Sequence, residues 1–169
     1  MKDDHPYPLN HQSTKLVDDD YQYLERFLDA TKANLFFARG VLIVEGAGEE
    51  LLLPTISRLL NRDFSDYGVS IVNVGGKGFS RYARIFLRQD NKPMGVQISC
   101  ITDRDIRPDQ YASFVEKSGG TVPAQNRRNW KLESEVSSKP ELETKDQDVR
   151  TFLSNQWTLE YDLAFYGLG

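Results

Sequence analysis

The sequence predicts an α/β fold: a Rossmann-like parallel sheet with helices on both faces. Three observations predict it. VLIVE (41–45), VSIVNV (69–74) and MGVQISCIT (94–102) are short apolar runs. They lack the alternation of a half-exposed strand, as expected for strands covered on both faces. Segments of helical spacing separate them, which makes βαβ units with right-handed crossovers.

The elements follow in order. Residues 1–17 are polar and read as a tail or linker, leaving 18–169 as the domain. Asp18, Asp19 and Asp20 suit the positive end of a helix running to about Arg39. Leu24, Phe27, Leu28, Thr31 and Leu35 give it one buried face. The first strand ends on Glu45, and Gly46-Ala47-Gly48 makes a tight turn. Glu49 to about Asn61 reads as a helix with Leu52, Ile56, Leu59 and Leu60 on its inner side. Pro54 predicts a late start or a kink there. After the second strand, Gly75-Gly76-Lys77-Gly78 is a turn and Phe79–Gln89 an arginine-rich helix. The third strand runs into Asp103-Arg104-Asp105. Residues 107–148 form a polar excursion, with a short helix expected over Tyr111–Lys117. VRTFLS (149–154) is a last strand. The final helix, in WTLEYDLAFYG, starts behind Thr158 as its cap.

Composition narrows the chemistry. No apolar run is long enough to span a bilayer, and the N-terminus lacks the apolar core of a secretory signal. The single cysteine, Cys100, rules out an internal disulfide, and a cytoplasmic location is expected. The net charge of -4 argues against broad electrostatic binding of nucleic acid. It leaves room for a nuclease, because clustered carboxylates lower the charge and bound cations reverse the local field. Both histidines, His5 and His11, lie in the tail. A metal held by the body of the chain must therefore take oxygen ligands, which selects Mg²⁺ or Mn²⁺.

The acids occupy telling positions. In an open parallel sheet, ligands bind beyond the carboxyl ends of the strands. Glu45 ends the first strand, and Asp103 and Asp105 lie just past the third. Glu49, four residues after Glu45, can point back from the first helical turn. Carboxylates so gathered repel one another unless cations sit between them. Two divalent ions would satisfy them and clamp a phosphodiester. Each motif alone has a plainer reading: Glu49 as a helix-dipole acid, Asp103 and Asp105 as turn residues. Their joint placement at two strand ends favours a metal site.

VEGAGEELLLP followed by ITDRD resembles the Toprim (topoisomerase–primase) domain, with its strand-end glutamate and later D-x-D. The ordered set FLDATKANLFFARGVLIVEGAGEELLLP, GVSIVNVGG, RYARIF, ITDRD and WTLEYDLA resembles the Toprim nuclease region of the OLD (overcoming lysogenisation defect) family of ATP-dependent endonucleases. The resemblance implies a Toprim-type sheet, two bound divalent metals, and DNA cleavage. It carries Glu45, Glu49, Asp103 and Asp105 over as ligands. It also adds Glu160, in T-L-E, which otherwise reads as an ordinary helix N-terminal acid.

That family has an N-terminal ABC-type ATPase. The present sequence has no GxxxxGK[ST] phosphate loop, and VGGKGF has the wrong spacing. Family members also continue past the T-L-E helix, so a fragment or isolated Toprim unit is expected. The implied partners are DNA, an ABC-type ATPase domain or subunit, and a second copy of the chain. Phage defence and DNA repair are the roles implied. The alternative is a non-catalytic Toprim module that needs its ATPase partner.

Basic residues are weighed separately. Lys77, in the glycine turn, could touch DNA. Arg81, Arg84 and Arg88 share a helix face that reads as solvated, with phosphate tracking as the minority reading for Arg81. Arg127 and Arg128, with Lys131 around Trp130, could grip a strand. Cys100, Tyr82 and Phe86 read as core.

Overall fold

The computed structural model of the chain describes residues 6–28, 32–76, 78–103, 147–154 and 157–167. Strand β1 (Gly40–Val44) has all five residues buried, as its uninterrupted apolar sequence requires. β2 (Val69–Asn73) and β3 (Gln97–Thr102) flank it, each in parallel. Val44 stands opposite Asn73 on one side and Ile101 on the other. β4 (Val149–Leu153) completes a four-stranded sheet of order β2-β1-β3-β4. Ile98 N donates to Asp148 O at 2.8 Å and Ser154 N to Thr102 O at 3.1 Å. Those bonds advance together along both strands, so β4 is parallel as well.

The chain divides into two units. Unit 1 comprises Met1–Ile101 with Leu142–Thr151; unit 2 comprises Thr102–Glu141 with Phe152–Gly169. Unit 1 holds α1 (Asp18–Phe27), a 3₁₀ turn (Ala33–Phe36), α2 (Ala47–Leu59), α3 (Phe64–Tyr67) and α4 (Phe79–Arg84). Its core gathers Leu24, Leu35, Val41, Ile43, Val72, Tyr82, Ile85, Phe86, Ile98 and Cys100. Tyr82, Phe86 and Cys100 are thus core, as the sequence indicates. The Tyr82 hydroxyl is satisfied by donating to Phe27 O at 3.1 Å. Unit 2 holds α5 (Leu159–Gly167). Thr158 Oγ1 accepts from Tyr161 N at 3.3 Å, the cap that the sequence predicts.

Several local expectations are revised. The first helix stops at Phe27 instead of reaching Arg39. Leu28 leaves the helical region (φ -82°, ψ 81°), and a separate 3₁₀ turn inserts Leu35, 1% exposed, into the core. The second helix starts at Ala47 and runs through Pro54. Its inner face is also rotated: Leu59 and Leu60 are 77% and 67% exposed, while Glu49 and Ser57 are buried. The connection from β1 is only Glu45-Gly46, which fixes where the helix must begin. That setting turns Glu49, Leu53 and Ser57, one residue per turn, toward the sheet.

The arginine face is not solvated. α4 ends at Arg84, and Asp20, 2% exposed, draws the arginines inward. Arg84 Nη1 donates to Asp20 Oδ2, and Arg81 Nε lies 3.6 Å from Asp20 Oδ1. Arg81 also donates to Asp19 O at 2.8 Å and covers the Tyr23 ring at 4.7 Å. A buried carboxylate needs such partners, which is why the face turns in. Arg88 is buried and donates to Pro8 O at 2.9 Å. The segment read as a polar tail is joined to this region. Thr14 and Leu16 are buried, Lys15 N donates to Leu87 O at 2.8 Å, and Gln89 N donates to Ser13 O at 3.0 Å. The helix expected over Tyr111–Lys117 lies outside the described residues.

Candidate metal centre

Glu45 and Glu49 belong to unit 1. Glu45 directly follows β1, one residue beyond its last paired position, and is half-buried. Glu49 is the third residue of α2 and only 5% exposed. A Cβ built on Gly46 would lie 3.1 Å from Glu49 Oε2. The carboxylate therefore folds back over the turn that leaves β1, and a side chain at position 46 would crowd it. Glu49 makes no hydrogen bond or ion pair with any described residue. Its oxygens are not fully buried: among the described residues, Thr151 Oγ1 is the one fully buried side-chain polar atom without a partner. Solvent therefore still reaches the carboxylate, and its burial is only in part uncompensated. A cation would relieve the remaining cost.

The neighbouring Glu50 is differently placed. It is exposed, and its Oε2 accepts from Asn73 Nδ2 at 2.9 Å. Asn73 Oδ1 in turn accepts from Gly75 N at 2.9 Å. The end of β2, the glycine turn and the start of α2 are clipped together by one asparagine. Sequence reasoning overlooked Asn73. The signal was an Asn two residues before a glycine pair, where its side chain can close a local turn. Gly75 and Gly76 have φ of 67° and 75° with nothing within 4 Å of an added Cβ. They serve the positive φ of the turn, since no neighbour demands their small size.

Asp103 and Glu160 belong to unit 2. Asp103 follows β3 and is half-buried. Its Oδ1 accepts from Leu159 N, the first amide of α5, at 2.9 Å. That amide is one of the donors a helix start leaves unsatisfied, and the dipole there favours a negative charge. Asp103 thus ties the chain after β3 to the turn that carries Glu160. Glu160 itself is exposed in the first turn of α5. The link from Asp103 to α5 was not legible in sequence, because 56 residues separate the partners.

Asp105, Lys77, Arg127 and Arg128 lie outside the described residues. Among the described residues, no group of three or more His, Cys, Asp or Glu side chains is gathered to hold a metal ion. Cys100 adds no reactive centre: burial pushes its thiol up to about 12.

The family model described as "Overcoming lysogenization defect protein-like, TOPRIM domain" matches residues 36–105. That span runs from the 3₁₀ turn before β1 to the second aspartate after β3. Residues 36–105 are thus similar to an OLD-like Toprim domain. No curated protein matches the chain. Among solved structures, the C-terminal region of the Xanthomonas campestris pv. campestris OLD protein is similar, at 25% identity and a TM-score of 0.47. The match covers 80% of this chain and 59% of that one. The C-terminal region of the Burkholderia pseudomallei OLD protein is similar at 20% identity and a TM-score of 0.41, covering 73% and 58%. The chain therefore spans less than two thirds of the length of either. No described helix is long and apolar enough to cross a membrane.

Proposed function

We propose that the Toprim domain is a divalent-metal-dependent DNA endonuclease domain, cleaving phosphodiester bonds with two ions. The observation that carries this reading is Glu49, a residue only 5% exposed whose carboxylate folds over the turn that ends β1 and takes no partner among the described residues. The topology supports it. The sheet order β2-β1-β3-β4 reverses direction at β1, so the switch point lies between β1 and β3. Open α/β sheets bind their ligands at such points, beyond the carboxyl ends of the strands. Val44 and Ile101 are register partners, and the chain leaves those strands toward Glu45 and toward Asp103.

The donor set fits Mg²⁺ or Mn²⁺, since Glu45, Glu49, Asp103, Asp105 and Glu160 offer only carboxylate oxygens. When bound, two such ions supply activation of water and charge neutralisation at the leaving oxygen. The chain's own residues do the positioning. Glu49 is held in place by burial. Asp103 fixes the first turn of α5 through Leu159 N and so restrains Glu160. Lys77, Arg127 and Arg128 contact DNA phosphates in this reading. Arg81 is left out of that role, because Asp20 and Tyr23 occupy its guanidinium.

The test is nicking of supercoiled plasmid with Mg²⁺ or Mn²⁺. Wild type converts it to the open circle and Asp103→Ala does not. Equal silence of both, with Mn²⁺ shown to be bound, overturns the reading. The absence of a three-carboxylate group among the described residues favours a second reading. In it the Toprim unit is a non-catalytic module that works only with an ABC-type ATPase partner. Nicking that depends wholly on added ATPase would select it.

A further inference from the structure

We propose, on the reading of Glu45 and Glu49 as metal ligands, that Asn73 is a positioning residue for the site. It fastens the first turn of α2 and so presents Glu49 to a divalent ion. That turn is poorly held by its own helix. The N-cap is Gly46, which has no side chain to take up the first amides of α2. The bond from Glu50 N to Gly46 O is long, at 3.4 Å. A helix start of this kind frays. What closes it is a contact from the sheet: Asn73 Nδ2 donates to Glu50 Oε2 at 2.9 Å, one residue from Glu49. All of these residues lie within unit 1.

The same strand end holds Glu45. Val74 N donates to Val44 O at 3.0 Å, and that carbonyl belongs to the peptide unit leading into Glu45. Asn73 is itself the register partner of Val44. Two consecutive residues at the end of β2 therefore restrain both candidate ligands, Val74 through its backbone and Asn73 through its side chain. The chemistry of the clip calls for a primary amide. The Glu50 carboxylate can only accept and Gly75 N can only donate. Asn73 serves both, with Gly75 N bonded to its Oδ1 at 2.9 Å. An aspartate at 73 would keep the Gly75 bond but set its second oxygen against the Glu50 carboxylate. Partners that orient metal ligands change affinity by about 10–100-fold when lost. The Asn73–Glu50 contact is exposed, which puts its effect at the lower end of that range.

The experiment is Mn²⁺ titration of the full chain, read by the electron paramagnetic resonance of the free ion. It compares wild type, Asn73→Asp, and the double variant Asn73→Asp with Glu50→Gln, with circular dichroism as the check on folding. Asn73→Asp is expected to weaken binding by roughly tenfold. The added negative charge by itself attracts a cation, so weaker binding reports the broken clip. The double variant has the net charge of wild type, and its amide at position 50 donates to its carboxylate at position 73. With the clip restored in reverse, it is expected to bind within about twofold of wild type. In chelator, the backbone amide at position 50 should exchange with solvent faster in Asn73→Asp and at the wild-type rate in the double variant. An Asn73→Asp protein that binds Mn²⁺ as wild type does overturns the proposal. So does a double variant as weak as Asn73→Asp, or unchanged exchange at position 50. A wild type that binds no Mn²⁺ overturns the ligand reading itself, and the proposal with it.

Discussion

Replacing Glu49 by Gln is expected to change stability in opposite directions with and without metal. The side chain is 5% exposed, and its Oε2 lies 3.1 Å from the place of a Gly46 Cβ. Gln keeps the shape and removes the charge. An unsatisfied buried polar group costs about 1–3 kcal/mol, and more when it is charged. Because solvent still reaches the Glu49 oxygens and the helix start favours an acid, Glu49→Gln should raise metal-free stability by only about 0.5–1 kcal/mol. At about 2–4 °C per kcal/mol for a domain of this size, that is roughly 1–4 °C in Tm. Mn²⁺ at about 100 times its Kd adds about 2.7 kcal/mol to any state that binds it, or roughly 5–10 °C. Wild type should gain that increment and Glu49→Gln only a small part of it. Thermal melts of both proteins, in chelator and in Mn²⁺, check the result. The order of the two Tm values reverses between the buffers. A Glu49→Gln protein that is less stable in chelator and responds to Mn²⁺ as wild type does would refute the reasoning.

Four further outcomes follow from unit 1. Gly78 has φ 96°, and a Cβ there would meet the Tyr23 ring at 2.5 Å, so Gly78→Ala should cost about 2–4 kcal/mol in urea unfolding. Gly76→Ala, with φ 75° and open space around it, should cost about 1–2 kcal/mol from backbone strain alone. Asp20→Ala leaves Arg81 and Arg84 without their buried partner. Since both guanidinium groups keep some water contact, about 2–3 kcal/mol should be lost in the same assay, and Arg81→Lys should lose less. The Cys100 thiol, raised by burial from 9.0 to about 12, should resist alkylation at neutral pH until the chain unfolds. The unfolded thiol releases its proton first. This group's contribution to stability is therefore complete below pH 9 and is lost as pH rises through about 12, which denaturant titration against pH can follow.

The sheet was legible because its strands are short, apolar and separated by helices, and β1 is buried throughout, as its sequence demands. β4 and the Thr158 cap were legible for similar local reasons. What local pattern could not supply was rotation and partnership. α2 carries leucines over a wide arc, so periodicity alone offered two inner faces, and the two-residue connection from β1 chose the one with Glu49. Arg81 and Arg84 look like a surface stripe until α1 delivers Asp20 to them, across more than 60 residues of chain. Helix propensity through Thr31 and Asn34 is weak, and burial of Leu35 overrode the apparent continuation of α1. Of the candidate ligands, strand-end position marked Glu45 and Asp103, and turn geometry marked Glu49. Glu160 stood out only through the family resemblance. Its tie to Asp103 through the Leu159 amide is a tertiary fact.

The central claim is that these carboxylates hold divalent ions. Titration of the full chain with Mn²⁺, followed by the electron paramagnetic resonance of the free ion, addresses it directly. About two bound ions per chain are expected in wild type. A clear loss of occupancy is expected in each of Glu45→Gln, Glu49→Gln and Asp103→Ala, with circular dichroism unchanged. A wild type that binds no more Mn²⁺ than each of these variants would contradict that role.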